Sequence, residues 1–367
     1  MKRFITYIML LLAPFGFAQT PDSTDQQKIR TAKRLAKKFL RREGIPGMAI
    51  SVSKNGELIW SEGFGYSQLQ PETKIQPDST QFRIASISKS ITAFALAKMA
   101  EDKTINLDES IYTYLPDYPK QNYDFTVRQL GGNIAGIRHY KDNEFSLNKK
   151  MTITEGLDLF KNDSLLFEPA TQFNYTSLGY VLLSEVMQKA SKVPFETYVK
   201  DYVFEPLKMQ NTTVDISDVV IPKRTLFYRS TFTKKPIVTV PVANEFKVAG
   251  GGFLSTSEDI VKFGNEIINP TIITKEALSE VVTSQKLKNG NITGYGIGFS
   301  VETTKKGTPK YYHTGGGVGA STILMVFPAE GIVITVLTNL SAAPVQKFGE
   351  ELEAIFVDDV AINDQQP

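Results

Sequence analysis

Two apolar runs, residues 48–53 and 58–64, flank the dipeptide Asn55-Gly56. Asn-Gly lets both central residues of a tight turn take positive φ at little steric cost, which makes it the strongest short-range signal for a β-hairpin. Strand-like runs then give way to a middle stretch, from Ser86 to about Glu280, that reads as helices joined by Pro-, Gly- and Asn-rich loops. One polar β-like excursion interrupts it between Val219 and Val242. Strands return only in the last third, over 295–302, 310–314, 322–327 and 331–338. A basic amphipathic helix, capped by Ser23 or Thr24 and stopped by Gly44, precedes the hairpin, and another spans about 344–357. Strands drawn from both ends of a chain pair most simply in one antiparallel sheet. The expected fold class is therefore α+β: that sheet flanked by the terminal helices, plus a mostly helical lobe, with any site between them.

The extreme N-terminus stands apart. Met1-Lys2-Arg3 precedes an apolar run over 4–17 that closes on Gly16-Phe17-Ala18. That is the pattern of a signal peptide over residues 1–18, cleaved before Gln19, the alternative being a short membrane anchor. Export to the periplasm or medium follows, with no stable membrane anchor after cleavage. The remainder is expected to be a single domain over 19–357, its α/β lobe built from 24–85 and 285–357 and its helical lobe from 86–284, with a polar tail at 358–367.

Without Lys2 and Arg3 the 41 basic residues fall to match the 39 acidic ones. No basic stripe or long like-charge block marks a nucleic-acid or anionic membrane partner, so a small molecule or peptide is the expected one. Cysteine is absent, which excludes disulfides, a thiol nucleophile and zinc–thiolate sites. With only His139 and His313 as histidines, a dedicated metal cage is not expected, and no cofactor is implied.

The triplet spacing Ser-x-x-Lys occurs three times, at Ser51/Lys54, Ser86/Lys89 and Ser146/Lys149, so the pattern alone selects nothing. Geometry selects, because residues three apart meet on a helix but point to opposite faces of a strand. Ser51 and Lys54 lie on the first hairpin arm and diverge, and Ser146 and Lys149 sit in a polar stretch that reads as surface. Ser86 opens a segment in which Ile91, Phe94, Ala95, Leu96, Ala97 and Met99 leave Lys98 as the only late charge. A helix apolar nearly all round is buried, yet this one begins Ser86-Ile87-Ser88-Lys89-Ser90. One reading is N-capping by Ser86 and a snorkelling Lys89. The other is a nucleophile whose Oγ sits beside helix N–H groups, with a desolvated lysine that acts as a base near neutral pH.

Further motifs turn the balance. Phe82-Arg83-Ile84-Ala85-Ser86-Ile87-Ser88-Lys89-Ser90 resembles the nucleophile segment of class C β-lactamases, their D-Ala-D-Ala carboxypeptidase relatives and related esterases, the peptidase S12 type. Tyr175-Thr176-Ser177 resembles an altered Tyr-x-Asn motif of that family, and His313-Thr314-Gly315 its Lys/His-x-Gly motif. Gly250-Gly251-Gly252-Phe253-Leu254-Ser255-Thr256 with Asp259, and Gly136-Ile137-Arg138-His139-Tyr140, extend the likeness, especially to the mitochondrial serine β-lactamase-like branch. It covers about residues 30–357.

The resemblance implies a serine hydrolase that acts through an acyl-enzyme on an amide or ester: a D-residue peptide, an ester or a β-lactam-like substrate. Ser86 would be acylated, while Lys89 and Tyr175 would share proton transfer. His313 would complete the catalytic set, and Ser177, Gly315 and Gly316 would contact substrate, with the N–H groups of Ser86 and Gly316 as oxyanion hole. Read without the resemblance, Tyr175 is a core tyrosine and His313 either a strand histidine or a site residue.

Three departures qualify the likeness. Ser177 stands where the family carries Asn, and Asn133 and Ala135 stand where it carries His and Ser. These motivate the rival reading, a binding or scaffolding protein that kept the fold and lost turnover. Where many β-lactamases carry Lys in the third motif, His313 is largely neutral at pH 7, so carboxylate-bearing β-lactams are expected to be poor substrates. The glycines from Gly315 to Gly319 satisfy a loose dinucleotide pattern, but a strand follows them where that fold needs a helix.

Overall fold

The computed structural model describes residues 23–358. The leader expected over 1–18 lies outside them, as does the tail beyond its first residue. Helix Ser23–Glu43 buries Ala32, Ala36 and Phe39, and the Phe39 ring stacks on Phe348 of helix Val345–Phe356 at 4.4 Å between centroids. These terminal helices cover one face of a seven-stranded antiparallel sheet, where Ile50, Val52, Ile323, Met325, Ile334 and Val336 form an apolar layer with them.

The sheet runs Glu72–Lys74, Glu57–Leu69, Gly47–Lys54, Ile332–Thr338, Ala320–Phe327, Pro309–Gly317, Ser300–Thr303. The two central strands are buried at every residue, because the opposite face is covered too. Helix Ser257–Ile268 lies so close that a Cβ on Gly264 would come within 2.4 Å of Val333 Cγ1. From there a larger apolar cluster continues into the helical lobe, through helices Ser88–Glu101 and Leu178–Ser191. The α+β architecture read from the sequence is the one present. The expected hairpin forms as well, with Asn55 and Gly56 at φ 53° and 85°.

Two local expectations need correction. Ser86 does not open the α-helix: Ala85–Ile87 forms a 3₁₀ turn and the α-helix begins at Ser88. The strand expected from Tyr295 starts only at Ser300, because the chain first bends onto the buried helix. There Ser90 Oγ donates to the Gly298 carbonyl at 2.6 Å, and Gly298 takes φ 71° with no room for a Cβ beside the Lys89 carbonyl. The glycine-bearing strand is a sheet edge over only part of its length. Ser300–Thr303 pairs with Pro309–Tyr312, which leaves the stretch from His313 to Gly317 open on that side. The excursion between 219 and 242 forms a separate hairpin, Tyr228–Ser230 with Pro236–Val238. Its Tyr228 is packed away from the cleft, with its hydroxyl accepting from Leu69 N at 3.0 Å.

Candidate active site

From Thr80 to Ala97 every residue is buried except Ser86, which is half-buried. The cause is local. Ala85, at φ 47°, holds a conformation that costs a residue with a Cβ of order 1 kcal/mol or more, and it turns the chain from the short strand Phe82–Arg83 into the 3₁₀ turn. Ser86 thereby faces a cleft lined by Arg83, Tyr140, Ser177, Lys247, Gly250 and Gly316.

One turn on, Lys89 is completely buried. Its Nζ lies 3.2 Å from Ser86 Oγ, 3.0 Å from Ser177 Oγ and 2.6 Å from the Gly250 carbonyl oxygen. Among the described residues no carboxylate pairs with it, and desolvation pulls its pKa down to about 7. A neutral amine that donates to Gly250 and Ser177 keeps its lone pair for Ser86, so the geometry suits a base.

The Tyr175 ring lies 4.9 Å from Lys89 Nζ. Burial pushes its phenol well above the ordinary range, partly offset by hydrogen bonding with the hydroxyls of Ser86 and Ser177. Tyr175 is held as a protonated phenol at the nucleophile. Asn133, which stands where a histidine was expected, builds this loop: its Oδ1 accepts from Thr176 N at 3.1 Å and its carbonyl from Asn174 N at 2.9 Å. Ser177 is buried and accepts from Lys89, so it holds the base as well as lining the cleft.

His313 and Gly315 sit differently from a contact role. His313 is buried behind Tyr175, with ring centroids 6.0 Å apart. Burial and the nearby Lys89 charge lower its pKa to about 3. Gly315 is required by packing, since a Cβ there would meet Thr322 Oγ1 at 2.1 Å and the Ile84 carbonyl oxygen at 2.4 Å. Of the glycines at 315, 316 and 317, only Gly316 opens on free space. The other two Ser-x-x-Lys pairs lie outside the cleft: Ser51 Oγ donates to Ser257 while Lys54 pairs with Asp25, and Ser146 ends a 3₁₀ turn, half-buried, with Lys149 exposed beyond it. Among the described residues no three His, Asp or Glu side chains gather to hold a metal ion.

Sequence reasoning gave no role to Tyr140 or Lys247, although both line the cleft. Nothing in the spacing marks Tyr140. Lys247 did carry a signal, as a lone charge in the run from Phe246 to Leu254.

A serine in the turn before a core helix and a buried lysine in that helix's first turn, faced by a phenol and an open strand edge, sit in a β-lactamase/transpeptidase-like fold. The chain belongs to the β-lactamase family, whose model matches residues 32–356, and with it to the β-lactamase-fold serine hydrolases. It is 28% identical to the human mitochondrial serine β-lactamase-like protein LACTB, over 86% of this chain and 77% of that one. Among solved structures, an octameric penicillin-binding protein homologue from Pyrococcus abyssi superposes with a TM-score of 0.78 at 24% identity, covering 90% of this chain and 77% of that one. D-amino acid amidase from Ochrobactrum anthropi matches with a TM-score of 0.78 at 21% identity, over 91% and 100% of the two chains.

Proposed function

We propose that this chain hydrolyses an amide or ester through an acyl-enzyme on Ser86. The observation that carries the reading is the 3.2 Å contact between Ser86 Oγ and a lysine whose pKa is drawn down to about 7. Neutral Lys89 takes the Ser86 proton as Oγ attacks the substrate carbonyl, and the oxyanion is received by the N–H groups of Ser86 and Gly316. The C–N or C–O bond then breaks as Tyr175 gives its proton to the leaving group and is reprotonated from Lys89. Water, activated by the same pair in reverse, releases the acid and restores Ser86. The raised phenol pKa supports the donor half of this exchange for Tyr175, and the lowered amine pKa supports the basic half for Lys89.

Export belongs to the same proposal and rests on Lys2-Arg3 and the apolar run after them. The test is intact-mass analysis of the mature chain after treatment with a fluorophosphonate. One adduct per chain, lost in Ser86→Ala, supports the reading. No adduct on folded protein supports the scaffold reading instead.

A further inference from the structure

Lys247 is a second buried lysine at the cleft, and the mechanism does not use it. It is 6% exposed, and its Nζ donates to the Phe145 carbonyl oxygen at 2.8 Å. The rings of Phe246, Phe145 and Tyr140 surround it at 5.5, 5.8 and 6.0 Å from their centroids. Among the described residues no carboxylate forms an ion pair with it, although Asp215 and Glu245 are near enough to raise its pKa. Asp215 is taken by Arg83 Nε at 2.6 Å, Asn244 Nδ2 at 2.7 Å and Arg224 Nη1 at 2.9 Å. Glu245 accepts from the Ser217 N–H and hydroxyl. Three cations therefore face two carboxylates here; Arg83 and Arg224 pair with Asp215, while Lys247, which lines the cleft beside Arg83, has no ion pair among the described residues. Burial and the Arg83 charge bring the lysine's pKa to about 8, so it remains mostly an ammonium at neutral pH. A buried ammonium with one neutral acceptor is costly in a free protein and is relieved by an anion.

The position says which part of a substrate would meet it. The proton donor Tyr175 packs against His313, at one end of the open strand segment. Arg83, beside Lys247, donates to the Val318 carbonyl at 2.8 Å, just past the other end. The leaving group departs toward Tyr175, so the acyl group extends past Gly316 toward Lys247. We propose that Lys247 binds a carboxylate on the acyl portion of the substrate, making this an enzyme for acyl groups that carry a negative charge. The proposal rests on the acyl-enzyme reading for its direction, while the anion site itself does not require turnover.

The experiment compares the 4-nitrophenyl monoester of adipic acid with the corresponding neutral adipamide ester, and measures adipamic acid binding to full-length mature Ser86→Ala by calorimetry. The expected result is at least about a tenfold higher kcat/KM for the anionic ester, with Lys247→Met removing most of that preference and Lys247→Arg keeping part of it. Lys247→Met in the Ser86→Ala background should weaken adipamic acid binding by a similar factor. Equal kcat/KM for the two esters, or binding indifferent to Lys247→Met in a folded protein, overturns the proposal. Fluorophosphonate labelling of Ser86 separates the two ideas: labelling without anion preference leaves the hydrolase and removes the anion site. Anion binding without labelling does the reverse.

Discussion

The Nε2 atom of His313 lies 3.1 Å from the Tyr295 hydroxyl, and its Nδ1 lies 2.6 Å from the Thr314 carbonyl oxygen. A carbonyl only accepts, so Nδ1 carries the proton and Nε2 accepts from the phenol. The ring is neutral and gives the strand no fixed charge. With His313 titrating near 3 and Lys89 near 7, kcat/KM should rise with pH through about 7 and show no histidine limb between 5 and 6. The same rise should persist in His313→Gln, measured with an uncharged ester. For the same reason penicillins, whose carboxylate lies on the ring that carries the leaving nitrogen, should acylate the enzyme slowly at every pH from 6 to 8. Fast, pH-independent penicillin turnover would contradict this.

Lys89 also makes folding stability depend on pH. The unfolded chain holds its lysine proton up to the ordinary value of 10.5, whereas the native state releases it near 7. Between those values the unfolded chain binds the extra proton, so raising the pH favours the native state, by up to about 1.4 kcal/mol per unit. Urea unfolding of the wild type should therefore show stability gained from pH 7 to 9 that Lys89→Met lacks. Parallel pH dependences in the two proteins would mean that the amine is not desolvated as described.

How much of this was legible beforehand depended on which residues a period constrains. Strand alternation, the Asn55-Gly56 turn and the apolar run behind Ser86 each bind a residue to a face, and from them the sheet, the hairpin and the choice of Ser86/Lys89 over two rival pairs could be read. Ser177 and Asn133 were visible only as departures from a motif. Their work, holding Lys89 and the loop through Thr176, is done by loop hydrogen bonds that follow no spacing rule. Tyr140 reaches the cleft on a loop for the same reason. The start of the strand at Ser300 rather than Tyr295 was set by a tertiary contact, Gly298 against the buried helix, which overrides local β propensity.

Tyr175→Phe separates the donor role from simple packing. The ring remains, but the leaving group loses its proton source. A 4-nitrophenolate leaves unaided, while an amide nitrogen must be protonated. The substitution should lower kcat for an anilide or peptide amide by about 10²–10⁴-fold and leave kcat for a 4-nitrophenyl ester much less affected. Equal losses on both substrates would place Tyr175 in acylation chemistry common to the two.

Gly315→Ala tests whether the open strand is positioned by the nucleophile turn. The added methyl would meet the Ile84 carbonyl oxygen and Thr322 Oγ1, which are themselves joined at 2.8 Å, so neither can yield without moving the chain just before Ser86. At Gly316, one residue on, the same methyl enters empty space within the cleft. The first substitution should therefore lower stability, by about 1–3 kcal/mol, and slow fluorophosphonate labelling of Ser86 by displacing the nucleophile from its base. The second should leave the melting temperature nearly unchanged and act only through substrate size, raising KM for bulky esters more than for small ones. Reversed effects, a destabilised Gly316→Ala and a stable Gly315→Ala, would show that the strand lies differently against the turn at Ala85 and Ser86, and the oxyanion geometry drawn from it would fall with that packing.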